Sequence, residues 1–187
     1  MRIVLFAGQL SYSNPALYTV ALTRGLVDRG HDVQVVVHGG PLADRLEEIG
    51  CEVYRFRSGF LAQRRLAQFL REFKPQISQA TGGQLALATG ARLARAAEVP
   101  LIHTIHAWLS QDQAERYPPE VAHFVVVNQT LREHLVNERN VRKTMIRVIP
   151  YGVEPQEIAR VSHEEKIPVI GTVGRLAQGR RHDEFIR

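Results

Sequence analysis

The sequence predicts an α/β protein, a doubly wound parallel sheet with the opening of a second domain of the same kind at its end. Three observations carry that prediction. Short β-branched runs alternate with helical patterns, as parallel strands joined by crossover helices do. Val35-Val36-Val37 and Val125-Val126-Val127 are continuous apolar runs, suited to strands covered on both faces. Pro75 and Pro100 stand where a helix must hand over to a strand.

Taken in order, strands are expected near 2–7, 33–37, 52–56, 76–79, 100–104, 122–127, 146–149 and 167–173, with helices near 15–29, 41–49, 60–73, 84–97 and 128–138. The first helix turns Ala16, Val20, Leu22 and Leu26 inward, and Gly30 suits a left-handed stop just beyond it. The polar, weakly patterned stretch 155–165 marks a linker. The expected organisation is a Rossmann-like domain over 1–152, a linker over 153–166, and the first strand and helix start of a second Rossmann-like domain over 167–187.

The size of 187 residues, with 44% hydrophobic and 23% charged residues, allows a real core. A net charge of +5 and a pI near 9.8 favour anionic partners such as phosphates, nucleotides or acidic lipid. No nucleic-acid motif accompanies the excess, so nucleic acid is not an expected partner. Cys51 is the only cysteine, which excludes a disulfide framework and fits a reducing compartment. No apolar run is long enough to cross a bilayer. A cytoplasmic protein is expected, with peripheral contact at the inner face of the membrane left open.

Ligands of doubly wound sheets bind beyond the carboxyl ends of the strands, so residues just after each strand are the candidates. After the first comes Gly8-Gln9-Leu10-Ser11-Tyr12-Ser13-Asn14-Pro15, a glycine turn into a helix start that offers free N–H groups to an anion. Leu10 and Ser13 stand where a dinucleotide fingerprint needs its second and third glycines, which counts against a nicotinamide or flavin enzyme. Asn14 reads as the N-cap and Pro15 as the first helical residue. After the fifth strand, the spacing of His103 and His106 puts them on opposite faces, so a shared metal is not expected. His103 packs within or beside the sheet. His106 falls at the carboxyl end, where an imidazole could donate to a hydroxyl or phosphate. Trp108 either offers a flat face to a sugar ring or anchors its loop.

Residues 60–74 form a basic amphipathic segment with Leu66, Phe69, Leu70 and Phe73 on one face. That stripe could lie on anionic lipid or face its own core. At the end of the chain, Gly174 closes a strand, Arg175 follows, and Arg180-Arg181 open a helix. Guanidiniums converging there suit a diphosphate, since each can bind oxygens bidentately; a solvated basic tail is the alternative.

These motifs together resemble the family 4 retaining glycosyltransferases, which have the two-domain GT-B fold. The segment Leu22 to Val33 is similar to that family's first helix and second strand, and Val99 to His106 to its strand with a terminal histidine. Val148 to Glu154 resembles the family's "IPNGVD" segment, with Tyr151 for Asn and Glu154 for Asp. Gly174 to Arg181 resembles "GRLxxxKG", with Arg180 for Lys and Arg181 for Gly. The family's Gly-Gly pair at the first helix is replaced by Ser13-Asn14.

The resemblance implies transfer of a sugar from a nucleotide-sugar donor, with retention, in a cleft between two domains. Gly174, Arg175, Arg180 and Asn14 would then hold the donor phosphates, His106 would lie near the reacting sugar, and Trp108 would serve a glycan or lipid-linked acceptor. No cofactor beyond the donor and no metal is implied. The family's acidic Glu-x7-Glu motif has no counterpart before Arg187, so this chain alone is expected to be inactive. Two other readings share these features: a non-catalytic glycosyltransferase-like module binding glycan, lipid or a partner, and a GT-B-type nucleotide-sugar epimerase.

Overall fold

The computed structural model describes residues 1–56, 59–108, 117–153, 170–174 and 182–186. The chain divides into two compact units, Met1–Gly152 and Val153–Arg187. The first holds a seven-stranded sheet: β1 (Arg2–Gln9), β2 (Asp32–Gly39), β3 (Glu52–Arg55), β4 (Ile77–Ala80), β5 (Leu101–Ile105), β6 (Val121–Val126) and β7 (Ile146–Val148). Their spatial order is β3-β2-β1-β4-β5-β6-β7, and every pairing is parallel. The connections run one way from β1 to β3 and the other way from β4 to β7. The order therefore reverses between β1 and β4, which makes that junction the topological switch point.

Five helices join these strands: α1 (Asn14–Val27), α2 (Ala43–Glu48), α3 (Phe60–Phe73), α4 (Gln84–Ala97) and α5 (Gln129–Arg139). Alternation along β1 sends Ile3, Leu5 and Ala7 toward α1 and α2, and Val4 and Phe6 toward α3 and α4. Hydrophobic side chains on both faces explain why this strand reads as a continuous apolar run. Beyond the switch point, α4 and α5 cover Leu101, Ile105, Phe124 and Val126. Helix ends follow local chemistry. Gly30 takes φ +76 past α1 and donates to the Val27 carbonyl. Lys74 and Glu98 close α3 and α4 in the left-handed region, each shortly before a proline.

Three local expectations change. The N-cap of α1 is Ser13 in extended backbone, not Asn14, which is the first helical residue, and Pro15 follows it. Proline fits either of the first two helical positions because its missing N–H has no helical partner there. β1 continues to Gln9 because Gly8, at φ +59, absorbs a register shift against β2. Of the strand expected over 167–173, residues 170–173 lie outside any strand, and 167–169 lie outside the described residues. Pairing with a neighbour is what makes an extended segment a strand, and the described ladder ends at β7. In the second unit, His182–Ile186 form a five-residue helix, α6.

Candidate functional site

At the carboxyl ends of β4 and β5, beside the switch point, polar and aromatic side chains gather. Thr81, just past β4, is fully buried, and its hydroxyl lies 2.7 Å from that of Thr19 on α1. Thr19 also donates back to the Pro15 carbonyl at 2.8 Å, which ties the start of α1 to the end of β4. Gly82 is required here: a Cβ would stand 2.7 Å from the Ala7 carbonyl oxygen of β1. Within the sheet, Gln79 Nε2 donates to Thr104 Oγ1 at 2.8 Å, beside the Tyr18 hydroxyl.

His106 is the centre of this group. Its Nε2 lies 2.9 Å from the Thr81 carbonyl oxygen, and its Nδ1 lies 2.8 Å from the Tyr151 hydroxyl. The Tyr151 ring is parallel to the imidazole within 5°, with centroids 5.7 Å apart, and Tyr18 meets His106 edge-on at 5.0 Å. Burial pushes the imidazole below its ordinary pKa, opposed by the bond to Thr81. Burial likewise raises the Tyr151 phenol, with the nearby Tyr18 adding to it. The ring is therefore neutral near pH 7, with its donor and acceptor edges both in use.

His103 points elsewhere. It is 4% exposed, packs against Phe124 and Tyr117, and its Nδ1 has no partner. Burial pushes it down to about 4. The two histidines do different work, as their spacing predicts, and no three His, Cys, Asp or Glu side chains converge on a common point among the described residues.

Trp108 is 57% exposed, yet its ring packs edge-on against His134 of α5 at 4.4 Å, so it contacts its own scaffold while keeping a free face. His134 is itself buried, 3.1 Å from Glu138 Oε1 but without the alignment of a hydrogen bond. Asn14 is exposed at the start of α1. Gly174 lies beside His182, whose ring would stand 3.3 Å from an added Cβ. Arg175, Arg180 and Arg181 lie outside the described residues. On α3, Leu66 and Leu70 are buried in the core with Phe69 and Phe73 packed against them, so the apolar stripe serves the domain itself. Leu61 remains exposed on that helix. No helix among the described residues is long and apolar enough to cross a membrane.

Sequence reasoning placed His106 correctly at a strand end but missed its partners Thr81, Tyr18 and Tyr151. Tyr151 carried a visible signal, an aromatic residue in place of the asparagine of "IPNGVD". The Gly82-Gly83 pair opening α4 was another.

A sheet of this order, with its polar cluster at the switch point, defines a Rossmann-like domain of the GT-B class. Residues 16–157 match Glycosyltransferase Family 4, and the chain belongs to that family. No curated protein matches the chain by sequence. Among solved structures, HepE from Anabaena in complex with UDP-glucose is similar at 19% identity and a TM-score of 0.68, covering 82% of this chain and 44% of its own. A glycosyltransferase from Rickettsia africae is similar at 14% identity and a TM-score of 0.64, covering 81% and 43%. The UDP-GlcNAc 2-epimerase from Methanocaldococcus jannaschii is similar at 11% identity and a TM-score of 0.55, covering 79% and 45%. The chain thus spans less than half the length of these structures.

Proposed function

We propose that this chain supplies the acceptor-side domain of a retaining glycosyltransferase that moves a sugar from a nucleotide-sugar donor to a glycan or lipid-linked acceptor. The reading is carried by His106, held at the switch point of a domain that belongs to Glycosyltransferase Family 4. In this proposal His106 stands near the reacting sugar and the exposed face of Trp108 meets the acceptor. Arg175 and Arg180, with Gly174 and Asn14, hold the donor diphosphate. Guanidinium groups would stabilise the charge that develops on the leaving diphosphate, work that fixed cations can do without a metal or other cofactor. Residues 153–166 serve as the linker and 167–187 as the opening of the donor domain. The proposal places the protein in the cytoplasm, with α3 and its cations against the inner face of the membrane.

HepE carries UDP-glucose in its structure, which supports a nucleotide-sugar as donor here. Because the chain spans 44% of that protein, we propose that the 187 residues alone bind such a donor weakly and transfer no sugar. Substantial turnover by the pure chain would overturn that half-site argument. In a full-length gene product, Arg175→Ala is expected to weaken donor binding by about 1.5–3 kcal/mol, the worth of one charge-assisted bond. Calorimetry showing an unchanged donor affinity would remove the phosphate role.

The epimerase likeness favours a second reading, a nucleotide-sugar epimerase built on the same fold. Product analysis by NMR decides between them: a glycoside of retained configuration supports the transferase, and a nucleotide-sugar or free sugar inverted at C2 supports the epimerase. Saturable glycan or vesicle binding with no sugar chemistry would support the non-catalytic module instead. For lipid, flotation with Arg64/Arg65→Glu against wild type tests the contact through 60–74.

A further inference from the structure

Tyr151 lies three residues past β7, at the far edge of the sheet, yet its ring reaches the end of β5. The path is defined. Ile149 N–H still donates to the Val126 carbonyl at 2.8 Å, so the segment from Ile149 to Tyr151 leaves β7 and crosses the carboxyl ends of β6 and β5. There its hydroxyl meets His106 Nδ1 at 2.8 Å, and its ring stacks on the imidazole.

The partners of the imidazole decide where its proton sits. The Thr81 carbonyl oxygen, 2.9 Å from Nε2, can only accept, so Nε2 carries the hydrogen. Nδ1 of the neutral ring is then the acceptor, and the Tyr151 O–H is the donor. Two bonds from opposite sides and a stacked ring leave the imidazole one orientation. Tyr18 closes the remaining side, 5.0 Å from His106 and 6.0 Å from Tyr151 between centroids. Tyr151 is nonetheless 38% exposed, so the bond is not sealed in the core. It also lies one residue before Gly152, the last residue of the first unit.

We propose that Tyr151 is a positioning residue for His106, whose hydroxyl and stacked ring hold the imidazole as its Nε2–H tautomer and tie it to the segment that leaves the first unit. The proposal rests on the transferase reading for its catalytic meaning, because it names what sets the histidine placed near the reacting sugar. An asparagine here, as in "IPNGVD", has neither the ring nor the phenol to do this. A tyrosine makes the orientation of His106 depend on the path of the chain after β7. Any movement that draws Tyr151 off the sheet edge also frees Nδ1.

The test is the side-chain 15N spectrum of His106 in the whole 187-residue chain, wild type against Tyr151→Phe and Tyr151→Asn, with the amide spectrum showing that each variant is folded. Wild type is expected to show a protonated Nε2 and an Nδ1 signal displaced by an accepted hydrogen bond. Tyr151→Phe keeps the stack and loses the donor, so Nδ1 is expected to move toward the unbonded value. Tyr151→Asn loses the stack as well, and both ring nitrogens are expected to move toward averaged values of a mobile ring. An Nδ1 signal unchanged in Tyr151→Phe, or a wild-type ring protonated on Nδ1, would overturn the proposal. The readout needs neither donor nor turnover. A failed transferase assay therefore leaves it standing, and a changed spectrum lends the transferase reading nothing.

Discussion

Around β1 and β2 the sheet is held almost entirely by hydrocarbon. Leu5 and Val35 are fully buried against α1 and α2, and Phe6 and Val36 against α3 and α4. One strand further on, the interior changes character. Ser78 donates to the Pro100 carbonyl at 2.9 Å, Gln79 to Thr104 at 2.8 Å, and His103 and Thr81 are buried close by. Apolar contacts are non-directional and tolerate rearrangement, so the first region contributes stability without fixing any single side chain. The second region is built from bonds with direction, and each member has few alternative partners. That is the kind of interior that can hold an imidazole in one pose, and His106 lies at its end.

The comparison breaks most visibly in the apolar half. Leu5→Ala deletes a fully buried side chain on a strand covered on both faces, with neighbours too tightly packed to close the void. A loss of about 2–5 kcal/mol is expected in urea denaturation followed by circular dichroism. The amide signals around Thr81 and His106 should keep their positions, because Leu5 touches none of that network. A loss well under 1 kcal/mol would mean that the core around β1 is loosely packed.

In the polar half, the largest effect comes from pH. His103 titrates near its ordinary 6.5 when unfolded and about 4 when folded, because burial disfavours the imidazolium. Between those values the unfolded chain binds more protons, so stability falls as pH drops from about 6.5 toward 4. It is retained in full above that window. The span corresponds to roughly 3 kcal/mol. His38 and His106 are pushed the same way by burial and add to the slope. Urea midpoints between pH 7 and pH 4.5 should therefore slide downward, and His103→Gln should flatten much of that slope. A wild-type profile that is flat across the window would place a proton acceptor beside His103 and undo the contrast drawn above.

What could be read from the sequence divides along the same line. The apolar half was legible because β1 and β2 are continuous hydrophobic runs, and their burial follows from composition alone. β4 reads Ile77-Ser78-Gln79-Ala80, a polar central strand with no alternation to reward. Its position near 76–79 came from Pro75 and from the helices on either side. His106 was placed at the site by strand-end logic. Its partner Tyr151 is 45 residues away and reaches it only because β7 stands two strands from β5. Spatial order of that kind is a property of the folded sheet, and no local pattern encodes it. The cap of α1 failed for a smaller reason: Ser13 and Asn14 are both good N-caps, and Pro15 fits after either.

The finest test of the comparison lies in the Thr19–Thr81 pair. Thr19→Val keeps the shape of the side chain and removes a hydroxyl that meets Pro15 and Thr81 at 2.8 and 2.7 Å. Thr81 would then be left with only the Phe6 carbonyl, at 3.4 Å. A cost of about 1–2 kcal/mol is expected, because one buried polar group loses its good partner. Thr81→Val should cost a similar amount. The double variant should cost clearly less than the sum, since no hydroxyl is stranded once both are gone. Strict additivity in a urea double-mutant cycle would show that the two groups do not share a bond. The directional half of the sheet would then begin at Gln79 and Thr104 instead, one residue further from His106.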